Sequence, residues 1–208
     1  MNRPATKAAV AKGPAGEVRL IGGQWKRSKL PVPPVPGLRP TPDRVRETLF
    51  NWLGQDLTGC RCLDAFAGTG ALGLEAASRG ASQVRMVERE RALVAALRAH
   101  VARLGAEAVQ VVQGEALAQL HAAPAGQWDV VFLDPPFGAG DEGFAQCLTA
   151  ARPLLAAEGR LYLEAPRAWT AADLAPLGLQ CLRHGRAGQV HYHLLGLWEP
   201  GSGDNLTP

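Results

Sequence analysis

Two short stretches of the 208-residue chain carry side chains that could do chemistry. The first, at residues 128–140, reads WDVVFLDPPFGAG: an apolar run ends on Asp134, Pro135, Pro136 and Phe137. Neither proline has a backbone N–H to donate, so a sheet ladder stops there and leaves a carboxylate beside an aromatic ring. Such an ending serves either as a turn or as a reaction centre. The second, at residues 64–73, reads DAFAGTGALG; it follows an apolar strand and opens a helical pattern. Gly68, Gly70 and Gly73 allow a sharp turn and a close approach of ligand to backbone. Glu88 stands 20 positions after Gly68 at the end of the next apolar run, where an acid can bind both hydroxyls of a ribose. Loop and acid together describe a pocket for an adenosine-containing cofactor. Their spacing does not separate a nicotinamide dinucleotide from S-adenosylmethionine. Asp64 weighs against a pyrophosphate, which it would repel, and suits a cofactor bearing a sulfonium and an ammonium group. Glu115, after the third strand, either meets the adenine edge or is a first-turn acid favoured by the helix dipole.

The elements that must position these residues begin near residue 59. RCLDAF, QVRMVE, AVQVVQG, WDVVFLD and RLYLEA read as strands. ALGLEAASRG, RALVAALRAHVARLG, EALAQLHAA and EGFAQCLTAARPLL read as the helices between them. Strands that are apolar on both faces and alternate with helices predict a parallel sheet covered on both sides. LGLQCLRHG and GQVHYHLLGLW, with no helix between, predict an antiparallel hairpin that brings the sheet to seven strands. Upstream, residues 18–21 should pair with 28–31 across GGQWKR, and PVPPVPGLRP should run extended. A helix should then start at Thr41-Pro42 with Thr41 as N-cap, docking through Val45, Leu49, Phe50 and Leu53. The expected divisions are a flexible basic tail over 1–17, an extension over 18–58, an α/β domain over 59–199 and a second tail over 200–208.

Composition sets the class. With 47% hydrophobic and 20% charged residues, the chain reads as a soluble globular protein. No apolar run nears the roughly 20 residues that span a bilayer. The basic start has no apolar core behind it, so it is not a secretory signal, and no membrane partner is expected. Cys60, Cys62, Cys147 and Cys181 lack metal-ligand spacing and read as reduced thiols of a cytoplasmic protein. The net charge of +3 is uneven. Residues 1–58 hold 10 Lys/Arg against 4 Asp/Glu, whereas residues 59–208 hold 12 against 15. The basic part either meets a polyanion or is a solvated tail. Arg19, Lys26, Arg27, Lys29, Arg39, Arg44 and Arg46 supply that charge. Trp25 among them either stacks on a base or closes the small hairpin, the structural role being favoured. His191 and His193 alternate on one strand and read as surface or substrate-edge residues, with no metal implied.

The Asp-Pro-Pro-Phe tetrapeptide at a strand end closely resembles the motif of S-adenosylmethionine-dependent amino-methyltransferases. RLIGGQWKRSKL, RPTPDRVRETLFNWL, LDAFAGTGALGLEAASRGA, LDPPF and GQVHYHLL extend the likeness over roughly residues 18–198. Together they resemble the bacterial 16S ribosomal RNA guanine-N2 methyltransferases that modify a small-subunit loop guanine, numbered 966 in that RNA. The resemblance implies a Rossmann-like class I methyltransferase fold acting as a cytoplasmic monomer on the RNA of the small ribosomal subunit or its assembly intermediate. S-adenosylmethionine would be the methyl donor, S-adenosylhomocysteine the product, and no metal would take part. Asp134 and the carbonyl of Pro135 would accept hydrogen bonds from the target amine, and Phe137 would stack on the base. Asp64, Phe66, Ala67, Gly68, Thr69, Gly70 and Arg89 would line the cofactor, with Glu88 on its ribose. Glu115 and Ala116 would meet its adenine, although the family more often has aspartate at Glu115. Arg39 and Thr41 would border the cofactor and base. Arg19, Lys26, Arg27, Lys29, Arg44 and Pro136 would contact RNA.

Overall fold

The computed structural model describes residues 16–35, 37–38 and 40–198. The two expected tails lie almost wholly outside the described residues, as does Arg39. Nine strands and six helices follow in order: β1 (Gly16–Arg19), β2 (Lys29–Val32), α1 (Asp43–Trp52), β3 (Arg61–Asp64), α2 (Ala71–Ser78), β4 (Gln83–Glu88), α3 (Arg91–Leu104), β5 (Val109–Gln113), α4 (Ala116–Ala122), β6 (Trp128–Leu133), α5 (Gly140–Ala151), β7 (Leu155–Ala165), α6 (Ala171–Leu174), β8 (Leu179–Ala187) and β9 (Val190–Leu197).

Seven of the strands form one sheet in the order β5-β4-β3-β6-β7-β9-β8. The pairs from β5 to β7 are parallel, and β9 runs antiparallel to both of its neighbours. The chain winds outward from β3 to β5, then returns to start β6 on the other side of β3. That reversal opens a crevice at the carboxyl ends of β3 and β6, where open α/β sheets take ligands. Asp64 ends β3 and Asp134 directly follows β6, so topology alone brings both acids to this crevice.

Alternation along the strands divides the core. Cys62, Val84, Met86, Val130, Phe132 and Tyr162 face α1, α2, α3 and the small β1–β2 hairpin. Leu63, Val87, Val131, Leu133, Leu161 and Leu163 face α4 and α5 through Leu120, Phe144 and Leu148. Among the elements that depart from the sequence expectation, two do so for local reasons. Strand β7 starts at Leu155, before the expected RLYLEA, because Leu155 already pairs with Trp128 across a register shift. The helix after Asp134 ends as α-helix at Ala151, since Pro153 cannot supply the next N–H and Arg152–Leu154 tighten into a 3-10 turn.

A buried ionic cluster docks the N-terminal extension. Arg46, 1% exposed, sits 3.4 Å from Glu75 of α2, which is fully buried. Arg46 also donates to the carbonyls of Arg19 and Thr41 and pairs with Asp43. Glu75 additionally takes Arg79 at 2.9 Å and the Ile21 N–H at 2.9 Å. Arg46 therefore belongs to the core and not to the exposed basic set in which its charge had placed it.

Candidate active site

The glycine loop is held from both sides by carboxylates. Gly70 caps α2 in a left-handed conformation (φ 80°), and a Cβ there would lie 2.5 Å from Leu97. Gly73 has no room for a side chain, as its Cβ would press on Met86 at 2.7 Å. Its N–H donates to Asp64 Oδ2 at 2.9 Å. The Gly68 N–H donates to Glu88 Oε2 at 2.9 Å, while Glu88 Oε1 accepts from the Glu90 N–H at 2.7 Å. Thus Asp64 and Glu88, singled out in the sequence, both grip the loop. Ala67 and Thr69 are buried within it, and Phe66 is half-buried. Arg89 and Glu115 are exposed and lie 4.0 Å apart, with Ala116 buried at the start of α4.

Asp134 stands one strand over. Asp64 pairs with Phe132, so Asp134, two residues on, shares the sheet face of Asp64. Burial, then the neighbouring Glu164 and Asp64, push the Asp134 carboxyl well above the usual carboxylate range. Burial also raises Asp64, to about 7, against the hydrogen bond from Gly73. Pro135 is buried and Pro136 exposed; Phe137, 44% exposed, opens a 3-10 turn (Phe137–Ala139) that leads into α5. The Phe137 ring is therefore not packed in the core, where it would sit if the tetrapeptide served only as a strand-ending turn.

The sequence reading missed Glu164. Leu133 pairs with Leu163, so continuing that register by one residue sets Glu164 beside Asp134. Glu164 is 4% exposed and accepts from the Tyr162 hydroxyl at 2.9 Å, with the Thr41 hydroxyl as a second donor. Thr41 is consequently not the N-cap of α1: Pro42 occupies that position, and Thr41 turns its side chain to β7. An acid closing RLYLEA was the available signal, but nothing local distinguishes it from any polar strand end.

The basic residues are not gathered at one place. Lys26, Arg27, Lys29, Arg19 and Arg44 are all exposed. Lys29 pairs with Glu17 at 3.1 Å, and Arg19 with Asp43 at 3.3 Å. Gln24 and Trp25 bind Ser78 at the carboxyl end of α2, so the loop carrying Lys26 and Arg27 lies at the sheet edge opposite Asp134. Trp25 packs on the core, in keeping with its structural reading. A cavity of about 420 Å³ bordered by Gln24, Gln55, Ser78 and Arg79 opens at that far edge and shares no residue with the glycine loop. His193 is buried, not a surface residue. It accepts from the Trp169 N–H at 3.0 Å, and burial, then His184, lower it to about 4, so it is neutral. The four cysteines are free thiols, and no group of three or more potential ligands among the described residues is arranged to hold a metal. No helix of the described residues is long and apolar enough to cross a membrane.

A switch-point crevice with a glycine loop, an acid ending the second core strand, and an antiparallel closing hairpin define the Rossmann-like class I methyltransferase fold. A precorrin-6y C5,15-methyltransferase from Geobacter metallireducens shares it at a TM-score of 0.59 and 18% identity, over 79% of this chain and 92% of that one. The likeness narrows sharply from there. The family model described as "Conserved hypothetical protein 95" matches residues 18–196, and the chain belongs to that family. The ribosomal RNA small subunit methyltransferase D of Escherichia coli (strain K12) is 42% identical over 190 residues, covering 91% of this chain and 95% of that protein. A solved structure described as a putative methyltransferase yhhF from Escherichia coli has a TM-score of 0.76 at 41% identity, over 89% of this chain and all of that one.

Proposed function

We propose that this protein transfers a methyl group from S-adenosylmethionine to the exocyclic N2 amine of a loop guanine, of the 966 type, in 16S ribosomal RNA. The observation that carries the reading is the position of Asp134: next to the glycine loop, on one sheet face with Asp64, and followed by an exposed Phe137. The name of the Escherichia coli relative supports ribosomal RNA as the substrate class.

S-adenosylmethionine, when bound, supplies an electrophilic methyl group on a positively charged sulfur. The residues present fit it. Asp64 is a buried acid with an elevated proton affinity, which a neighbouring cation relieves. Glu88 is fixed by two backbone N–H groups and keeps lone pairs for a ribose diol. Two acids at the loop are poorly suited to a pyrophosphate. Phe66, Ala67, Gly68, Thr69 and Gly70 would line it, with Arg89 beside Glu88 on the ribose side, Glu115 and Ala116 on the adenine side and Thr41 bordering cofactor and base; Arg39, assigned to that border by the resemblance, lies outside the described residues.

An aromatic amine is a weak nucleophile because its lone pair is delocalised into the ring. Asp134 and the carbonyl of Pro135, both accepting from the amine hydrogens, favour rehybridisation and stabilise charge as it develops on nitrogen. The two prolines hold those acceptors rigidly, and Phe137 keeps an unpaired base in place by stacking. The exposed Arg19 and Arg44 near the start of α1 are cations for RNA phosphates on one side; Lys26 and Arg27 at the far edge, with Lys29, would engage a more distant stretch of the same RNA, and the exposed Pro136 borders the crevice itself. The test is direct: incubate the protein with labelled S-adenosylmethionine and small subunits or naked 16S RNA lacking the modification, then map the labelled nucleotide. Label in N2-methylguanosine at one loop position is expected; label in an adenine or cytosine amine overturns the assignment.

A further inference from the structure

Glu164 is a buried acid that the chemistry above leaves without a role. Its placement is firm on three grounds. It lies on β7 beside the end of β6, on the face that carries Asp64 and Asp134, and parallel neighbours sit about 4.8 Å apart. The Tyr162 hydroxyl holds one of its oxygens at 2.9 Å, and the Thr41 hydroxyl is a second donor. It is 4% exposed, at the bottom of the crevice edge where Asp134 is partly open. A carboxylate has about four acceptor sites, so two hydroxyls orient it without filling it.

We infer that Glu164 selects guanine, accepting the N1–H of the target base while Asp134 and the Pro135 carbonyl take the hydrogens of its N2 amine. This rests on the reading of the crevice as a guanine-N2 methyltransferase site and deepens it by naming the residue that selects the base. Guanine presents N1–H and N2–H₂ as adjoining donors. Adenine and cytosine present an amine beside a ring nitrogen that carries a lone pair. Two neighbouring acids match the first edge and repel the second. A site built to accept a particular N–H also discriminates more strongly than apolar shape does, because its buried acceptor is otherwise left unpaired.

The experiment compares RNAs that hold guanine or 2-aminopurine at the target position, the latter keeping the N2 amine but lacking N1–H. The wild-type protein should favour guanine in kcat/KM by roughly 10- to 100-fold. E164Q keeps an acceptor for Tyr162 and can turn an amide N–H toward the N1 lone pair, so it should move the ratio toward 2-aminopurine by about tenfold or more. A variant that loses activity on both RNAs equally, with the ratio unchanged, gives Glu164 a structural role and overturns the inference. Should E164Q not fold, affinities of the wild-type protein for the two RNAs, measured with S-adenosylhomocysteine so that no transfer occurs, decide the matter. A tighter guanine complex supports the inference and equal affinities overturn it. A wild-type protein that methylates no guanine at all overturns the proposed function, and the inference with it.

Discussion

Removing Arg46 and removing Glu75 should have unequal effects, although the two face each other across a buried ion pair. Arg46→Met deletes a cation that is 1% exposed, but Glu75 keeps Arg79 at 2.9 Å and the Ile21 N–H. What is stranded is a pair of carbonyls, those of Arg19 and Thr41. Each such loss costs on the order of 1 kcal/mol or somewhat more, so the variant should lose about 2–3 kcal/mol. Glu75→Met instead leaves two guanidiniums and a backbone N–H around an apolar side chain. Breaking a buried pair in that manner costs about 3–5 kcal/mol. Urea unfolding of the wild type, both single variants and the double variant measures all of this. The double-mutant cycle should return a coupling of about 0.5–3 kcal/mol. Because Thr41 reaches from this cluster to Glu164, Arg46→Met should also weaken activity more than S-adenosylhomocysteine binding. A cost below about 1 kcal/mol for Arg46→Met, or one equal to that of Glu75→Met, would refute the asymmetry argued from the buried cluster.

Two further expectations concern charge. Burial raises Asp64 from 3.8 to about 7, so between those pH values the folded protein holds a proton that the unfolded chain has released. Stability should therefore fall as pH rises from about 4 to about 7, with no further loss from this group above it, and Asp64→Asn should flatten that slope in unfolding experiments. An unaltered slope in the variant would remove Asp64 as its source. Arg27→Ser and Lys29→Ser should each lower the slope of log K against log salt for RNA binding by about one, measured by titration of a 16S RNA fragment. Unchanged slopes would take these residues off the RNA surface.

What was legible in the sequence was what is encoded locally. Strands with apolar residues on both faces announced a covered parallel sheet, and the loop-plus-acid spacing from Asp64 to Glu88 survives as two backbone-gripping carboxylates. The strand-ending prolines marked Asp134 because an absent N–H is a property of the residue itself. What could not be read depends on partners far along the chain. Glu164 gains meaning only from the register that sets β7 beside β6. Arg46 looked like one more exposed cation until Glu75, 29 residues later, accounted for its burial. Thr41 followed the pattern of an N-cap, but Pro42 takes that position and the hydroxyl is drawn to a carboxylate on β7. His193 reads as a strand-surface residue because the Trp169 N–H that binds it comes from a loop with no signature of its own.

The central claim is that Asp134 acts on the target amine and not on the cofactor. The most direct measurement pairs S-adenosylhomocysteine affinity with single-turnover methyl transfer for Asp134→Ala. The account predicts binding close to wild type and transfer reduced by about 10²–10³-fold or more, the loss typical of removing one preorganised charge-stabilising group. Retained transfer, or a loss of transfer explained wholly by lost cofactor binding, would contradict it.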